Sequence, residues 1–157
     1  MLERRVERWM THDVITLAPR ATILDALSVM ERERIRHVLI VDERDRLVGI
    51  VSDRDVKRVL ADGKSKRPID RALERPLSTI MTRGVLRLDP SATLTEAAEV
   101  MCREKVSALP VIDGDALAGI ITCEDILWAF VELDRFDEEE REDDEIDRTV
   151  PPEREAA

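Results

Sequence analysis

The chain has 157 residues, 35 acidic against 25 basic, giving a formal net charge of −10, and 43% of it is apolar. That length predicts one compact domain, or two small ones sharing a core, large enough to fold without a disulfide or metal staple. The apolar runs, such as Val38 to Val41, are far too short to cross a bilayer, and Met1 to Trp9 alternates charges with single apolar residues, unlike a signal peptide.

In chain order, a short strand is predicted around Val14 to Leu17. Ile23, Ala26, Leu27 and Met30 then follow the i, i+3, i+4, i+7 spacing of an amphipathic helix. Thr22 with Asp25 three residues on has the pattern of a capping box. Two apolar strands follow, Val38 to Val41 and Leu47 to Val51, joined by the polar turn Asp42-Glu-Arg-Asp45, and a second helix starts near Ser52. A stretch holding Gly63, Pro68 and a Lys/Arg cluster reads as a linker.

The pattern then begins again. Shifted by 71 residues, Met10 to Asp42 matches Met81 to Asp113 at 13 of 33 positions. Leu94, Ala97, Ala98 and Met101 repeat the helix spacing, and Thr93 with Glu96 repeats the cap. Val85 to Leu88, Leu109 to Ile112, Leu117 to Ile121 and a helix from Thr122 complete the second copy. Two copies are too few for a solenoid and predict a pseudo-twofold pair. The expected organisation is an α/β fold of two βαββα units at 6–60 and 76–131, with a linker at 61–75 and an acidic C-terminal tail at 132–157.

Charge is distributed unevenly. Val131 to Ala157 carries 13 acidic and 4 basic residues, a net of −9, and the remaining 130 residues carry 22 and 21, a net of −1. The tail has the composition of a solvated, partly disordered or helical segment. Neither part offers the basic stripe that nucleic acid demands. Two cysteines, Cys102 and Cys123, give no disulfide framework, which fits a cytoplasmic setting. Asn and Gln are absent, and Arg outnumbers Lys 21 to 4; coding bias, salt adaptation and heat adaptation account for this equally well.

Met-Thr-x-x-Val, Leu-x-Pro-x-Ala-Thr and Gly-Ile-Val/Ile-Ser/Thr-x-x-Asp, occurring twice in tandem from about Val6 to Val131, resemble a pair of CBS domains, the Bateman module. The resemblance implies two βαββα units packed sheet to sheet with two equivalent clefts. It also implies a homodimer and an adenosine ligand (AMP, ADP, ATP, NAD, S-adenosylmethionine or a cyclic dinucleotide), in a protein that regulates an attached or separate partner. Some members act only in assembly.

The residues at the second strand-to-helix junction fit such a ligand on chemical grounds. A helix start presents N–H groups and a positive dipole end to an anion. A carboxylate such as Asp55 can accept from a ribose diol. Ser52 would reach the ribose or first phosphate, and Arg54 would pair with phosphate. Ser52-x-x-Asp55 and Thr122-x-x-Asp125 are equally capping boxes, though these favour Glu or Gln at the third position, and Asp in both copies points toward another task.

By resemblance, Arg36 and His37 carry phosphate contacts, and adenine would stack near Ile15 and Leu86. The expected first cleft is therefore Ile15, Arg36, His37, Ser52, Arg54 and Asp55. The second is Leu86, Ser107, Ala108, Thr122 and Asp125, weaker because Glu124 stands where the first copy has Arg54. Arg36 read as a solvated charge and His37 as a strand residue are the alternatives.

Cys102, beside Met101, reads as a small core filler, and Cys123 at a helix start could have a lowered thiol pKa. His12 and His37 with the cysteines lack metal-ligand spacing. No P-loop, Rossmann triplet or nucleophile elbow occurs, and no catalytic constellation is evident, so the chain is not expected to be an enzyme. The expected function is a regulatory module. It binds an adenosine nucleotide between the repeats, with no obligatory cofactor and no metal, and signals to a dimer or protein partner surface, away from nucleic acid and membrane. The alternative is a ligand-free dimerisation scaffold or interaction subunit.

Overall fold

The computed structural model describes residues 4–61 and 69–135. Residues 62–68 of the expected linker and 136–157 of the expected tail lie outside it.

The elements follow the repeat. The first unit opens with the short helix α1 (Val6–Trp9), then β1 (Thr16–Leu17), α2 (Ile23–Glu33), β2 (His37–Val41), β3 (Leu47–Ser52) and α3 (Asp53–Ala61). After α4 (Ile69–Leu73) and a 3-10 turn at Leu77–Thr79 come α5 (Leu94–Glu104), β4 (Ala108–Asp113) and β5 (Ala116–Thr122). Residues 123–135 form a final helix, α6. β1 runs parallel to β2, which is antiparallel to β3, and β4 and β5 form an antiparallel pair. The strand expected at Val85 to Leu88 is reduced to a single bridge from Leu88 to Val111, with two backbone hydrogen bonds.

α2 and α5 form where their apolar spacing predicts, each with Ala and Met facing the core. Both start in reciprocal capping boxes, Thr22 with Asp25 and Thr93 with Glu96, and both stop at a residue in the left-handed region, Arg34 and Lys105. Each helix covers the outer face of its own sheet. The inner faces meet through Leu39, Ala108 and Ile120, flanked by Val14, Leu47, Ile50 and Leu117. These side chains form the seam between the units.

One feature of the assembly is invisible to local patterning: the units exchange their leading segments. Val6 and Met10 sit in the core of the second unit with Leu94, Ala97, Met101, Leu109 and Ile121. Leu77 and Met81 sit in the core of the first with Ile23, Ala26, Met30, Val38 and Val51. The hydrogen bonds mirror one another. The Val6 N–H donates to the Ala92 carbonyl and the Leu77 N–H to the Ala21 carbonyl, both at 2.8 Å. Thr11 then pairs with Ile120, and Thr82 with Ile50, extending each sheet with backbone from the other unit.

Glycine makes that crossing possible. A Cβ on Gly49 would stand 2.6 Å from Met81 Sδ, and one on Gly119 would stand 2.7 Å from the Thr11 carbonyl oxygen. A glycine inside a strand commonly marks such a close approach of backbone.

Candidate functional site

The exchange determines how the clefts are built. The first, about 400 Å³, lies over the β3–α3 junction and holds Ser52, Arg54 and Asp55. Its second wall comes from the other unit: Gly84, Val85 and Leu86 beyond the Thr82 bridge, then Lys105 to Leu109 leading into β4. The second cleft, about 200 Å³, lies over the β5–α6 junction with Thr122, Glu124 and Asp125, and is walled by Thr11, Asp13, Val14, Ile15 and Arg34 to His37.

This corrects the grouping expected from sequence. Ile15 does not share a cleft with Asp55; it lines the cleft of Asp125. Leu86, Ser107 and Ala108 do not accompany Thr122 and Asp125; they line the cleft of Ser52, Arg54 and Asp55. The reason is the crossing: the chain that passes Thr11 runs along β5, and the chain that passes Thr82 runs along β3. Arg36 and His37 stand at the junction and line both clefts. The isolated Gly49 and Gly119 within strand patterns are the sequence signal that could have revealed this.

Asp55 is engaged at home. Its Oδ2 accepts from the Ser52 N–H at 2.8 Å and from the Ser52 hydroxyl at 2.7 Å, and its own N–H donates to Ser52 Oγ at 3.3 Å. Thr122 and Asp125 repeat this arrangement. Asp25 makes the same box with Thr22 at a helix start that lines neither cleft. Aspartate therefore reaches back well enough in this backbone, and its presence at position three is not evidence of another task. Asp55 Oδ1 is the oxygen outside the box, with the Arg58 guanidinium 3.9 Å away.

The helix start is also less open than its sequence suggests. The Asp53 N–H donates to the Arg36 carbonyl and the Cys123 N–H to the Ser107 carbonyl, each at 3.0 Å. With the amides of Asp53 and Asp55 already taken, positive charge in the first cleft comes mainly from side chains. Arg36, Arg54, Arg58 and Lys105 line it against Asp53, Asp55 and Glu104. The second cleft has Arg34 and Arg36 against Asp13, Glu124 and Asp125. With the shared Arg36 assigned to the second cleft, the first is neutral and the second still carries one negative charge, so an anion favours the first.

Between the clefts, His37 Nε2 lies 3.0 Å from Ser107 Oγ, bridging the units, and Arg36 pairs with Glu124 at 3.6 Å. Burial pushes the His37 pKa below its ordinary 6.5, helped by the Arg36 charge, so the ring is neutral at neutral pH and is no fixed cation for phosphate.

The cysteine expectations do not hold. Cys102 is exposed, because one residue past Met101 is about 100° further round the helix. Burial pushes the Cys123 thiol up, against the lowering expected at a helix start, and its Sγ lies 3.4 Å from Met101 Sδ. Among the described residues, no cluster of His, Cys, Asp and Glu has metal-binding geometry, and no helix is long and apolar enough to cross a membrane.

Paired βαββα units with exchanged leading segments and two interfacial clefts define a class of tandem-repeat α/β folds. The CBS-domain family model matches residues 6–62 and 77–132, and the chain belongs to that family. It is similar in structure to a candidate acetoin utilization protein (AcuB) from Vibrio cholerae, at 38% identity and a TM-score of 0.74, covering 86% of this chain and 96% of that one. The CBS pair of protein MJ0100, solved with 5′-methylthioadenosine and S-adenosyl-L-methionine, matches at 28% identity and a TM-score of 0.72, covering 82% of this chain and 96% of that one. CBSX2, solved with AMP, matches at 26% and 0.71, covering 83% and 98%. The chain spans only 22–34% of the length of four curated relatives that it matches, so it shares one module with those proteins.

Proposed function

We propose that this chain is a regulatory module that binds an adenosine nucleotide in the first cleft and transmits occupancy to a dimer or partner surface. The observation that carries the reading is the make-up of that cleft: walls from both units, with four cationic side chains around the Ser52–Asp55 pair. A ligand there contacts both units at once, and it acts as a regulator if it prefers one relative arrangement of them over another. The adenosine compounds bound by the CBS pairs of MJ0100 and CBSX2 support the ligand class.

In this reading the units span 6–60 and 76–131. Asp55 Oδ1 accepts from a ribose hydroxyl, Ser52 stands beside it, and Arg54 with Arg36 meets phosphate. Leu86, 47% exposed, offers apolar surface to the base. Ile15, Thr122 and Asp125 form the weaker site; His37 and Ser107 join the two, with Ala108 at the floor of the first. The surface to which occupancy is relayed includes α6, where Leu127, Trp128, Phe130 and Val131 are exposed.

A thermal-shift panel of AMP, ATP, NAD, S-adenosylmethionine and cyclic di-AMP tests the proposal. At a hundredfold excess over Kd, one site adds about 2.7 kcal/mol. For a domain this size the midpoint rises by roughly 5–11 °C. If no ligand moves it by more than about a degree, the second reading takes over: a ligand-free pairing scaffold. That reading draws on the exposed apolar face of α6 and on an Asp55 already occupied by its cap.

A further inference from the structure

We infer that the two clefts compete for a single arginine, and that Glu124 sets the outcome by holding Arg36 toward the second cleft. The inference rests on the nucleotide-binding reading above and deepens it.

In a symmetric pair, the positions leading into the two middle strands would carry the same side chain, one for each cleft. Here the mate of Arg36 is Ser107, so the pair has one guanidinium where symmetry would supply two. The Arg36 backbone belongs to the lip of the first cleft, where its carbonyl accepts from the Asp53 N–H at 3.0 Å. Its guanidinium reaches the lip of the second, 3.6 Å from Glu124 Oε2. Both side chains are about two-thirds exposed, at 65% and 67%, so the guanidinium is free to swing without opening the core.

A phosphate in the first cleft adds an anion to a wall that Arg36 already lines, and draws the guanidinium from Glu124. The second cleft is then left with Asp13, Glu124 and Asp125 facing Arg34 alone, and becomes more hostile to a second anion. Phosphate-bearing ligands therefore bind one per chain, whereas an uncharged nucleoside feels no such competition. Because coupling of binding energies is reciprocal, removing the hold on Arg36 must tighten the first site. Glu124 is a positioning residue: it acts on the ligand through Arg36.

Calorimetric titration of the full chain with AMP and with adenosine tests this, using Glu124→Gln, Arg36→Ala and the double variant. Glu124→Gln should tighten AMP by about two- to fivefold, the range expected when an exposed ion pair no longer competes. Adenosine affinity should stay unchanged. In the Arg36→Ala background the same substitution should do nothing to AMP. Tightening that persists without Arg36, or that extends equally to adenosine, overturns the inference, because Glu124 would then act directly or through general structure. An unchanged AMP affinity in Glu124→Gln overturns it as well and leaves nucleotide binding intact. If the unaltered chain binds neither AMP nor adenosine, the proposed function falls and takes this inference with it.

Discussion

At the first turn of α3 the first unit carries Arg54; at the matching turn of α6 the second carries Glu124. One turn further on, Lys57 and Arg58 face solvent in the first unit, where Leu127 and Trp128 do so in the second. Beneath these differences, the cap that starts each helix and the glycine that lets a foreign segment cross are the same in both units. Positions that the backbone plan depends on are held alike, and positions it does not depend on carry the chemistry. The clefts thus differ in charge on a shared backbone plan.

The deepest symmetry to break is the exchanged core. Leu77→Ala should cost about 2–5 kcal/mol, as for a fully buried leucine. Although Leu77 belongs to the second unit in sequence, the cost should be non-additive with Ile23→Ala in the first core. It should add with Leu94→Ala within about 0.5 kcal/mol. Urea unfolding of the single and double variants checks this, and additivity with Ile23→Ala would mean the segments are not exchanged in solution.

The clefts themselves come next. Asp55→Ala should abolish the AMP-induced midpoint rise of roughly 5–11 °C, while Asp125→Ala should leave most of it. Each variant is compared with its own ligand-free midpoint, because each also loses a helix cap worth about 1 kcal/mol. The reverse result would invert the ranking of the clefts.

The crossing glycines give a smaller contrast. Gly119→Ala should destabilise by about 1–3 kcal/mol, because its Cβ meets the Thr11 backbone oxygen and the chain must shift. Gly49→Ala should cost less, since its nearest obstacle is the flexible end of Met81. Equal losses in thermal or urea unfolding would remove this difference between the units.

The smallest effect is in pH. His37 has no titratable mate, since Ala108 occupies the matching position. Its folded pKa lies below the ordinary 6.5, so the unfolded chain takes up the proton first. The stability it contributes is complete above about 6.5 and is lost as pH falls through the depressed folded value. Urea midpoints measured from pH 7.5 downward should fall less in His37→Gln than in the unaltered chain.

Local chemistry made much of the fold legible. The spacing of Ile23, Ala26 and Met30, and of Leu94, Ala97 and Met101, located both principal helices, and the Thr–acid pairs located their first residues. The strand pairs followed from short apolar runs broken by polar turns. What escaped was non-local. No periodicity reports that Thr11 will pair with Ile120, more than a hundred residues away, so Ile15 and Leu86 were each assigned to the wrong cleft. The preference for Glu in capping boxes also misled, because the geometry at Thr22 shows Asp serving equally well. Sequence places Arg36 in the first cleft alone; that it lines both escapes local patterning, since its reach to Glu124 depends on how the units meet.

The exchange of leading segments also bears on how such a chain can be divided. Each half carries the lid of the other's core: Val6 and Met10 for one, Leu77 and Met81 for the other. The halves are interlocked like clasped hands, each losing its cover if the other left. Two fragments made apart would each expose the floor on which the missing helix rests, and would be driven to find one another or a second copy of themselves. Joining the halves in one chain makes their meeting intramolecular, so each core finds its cover without depending on concentration.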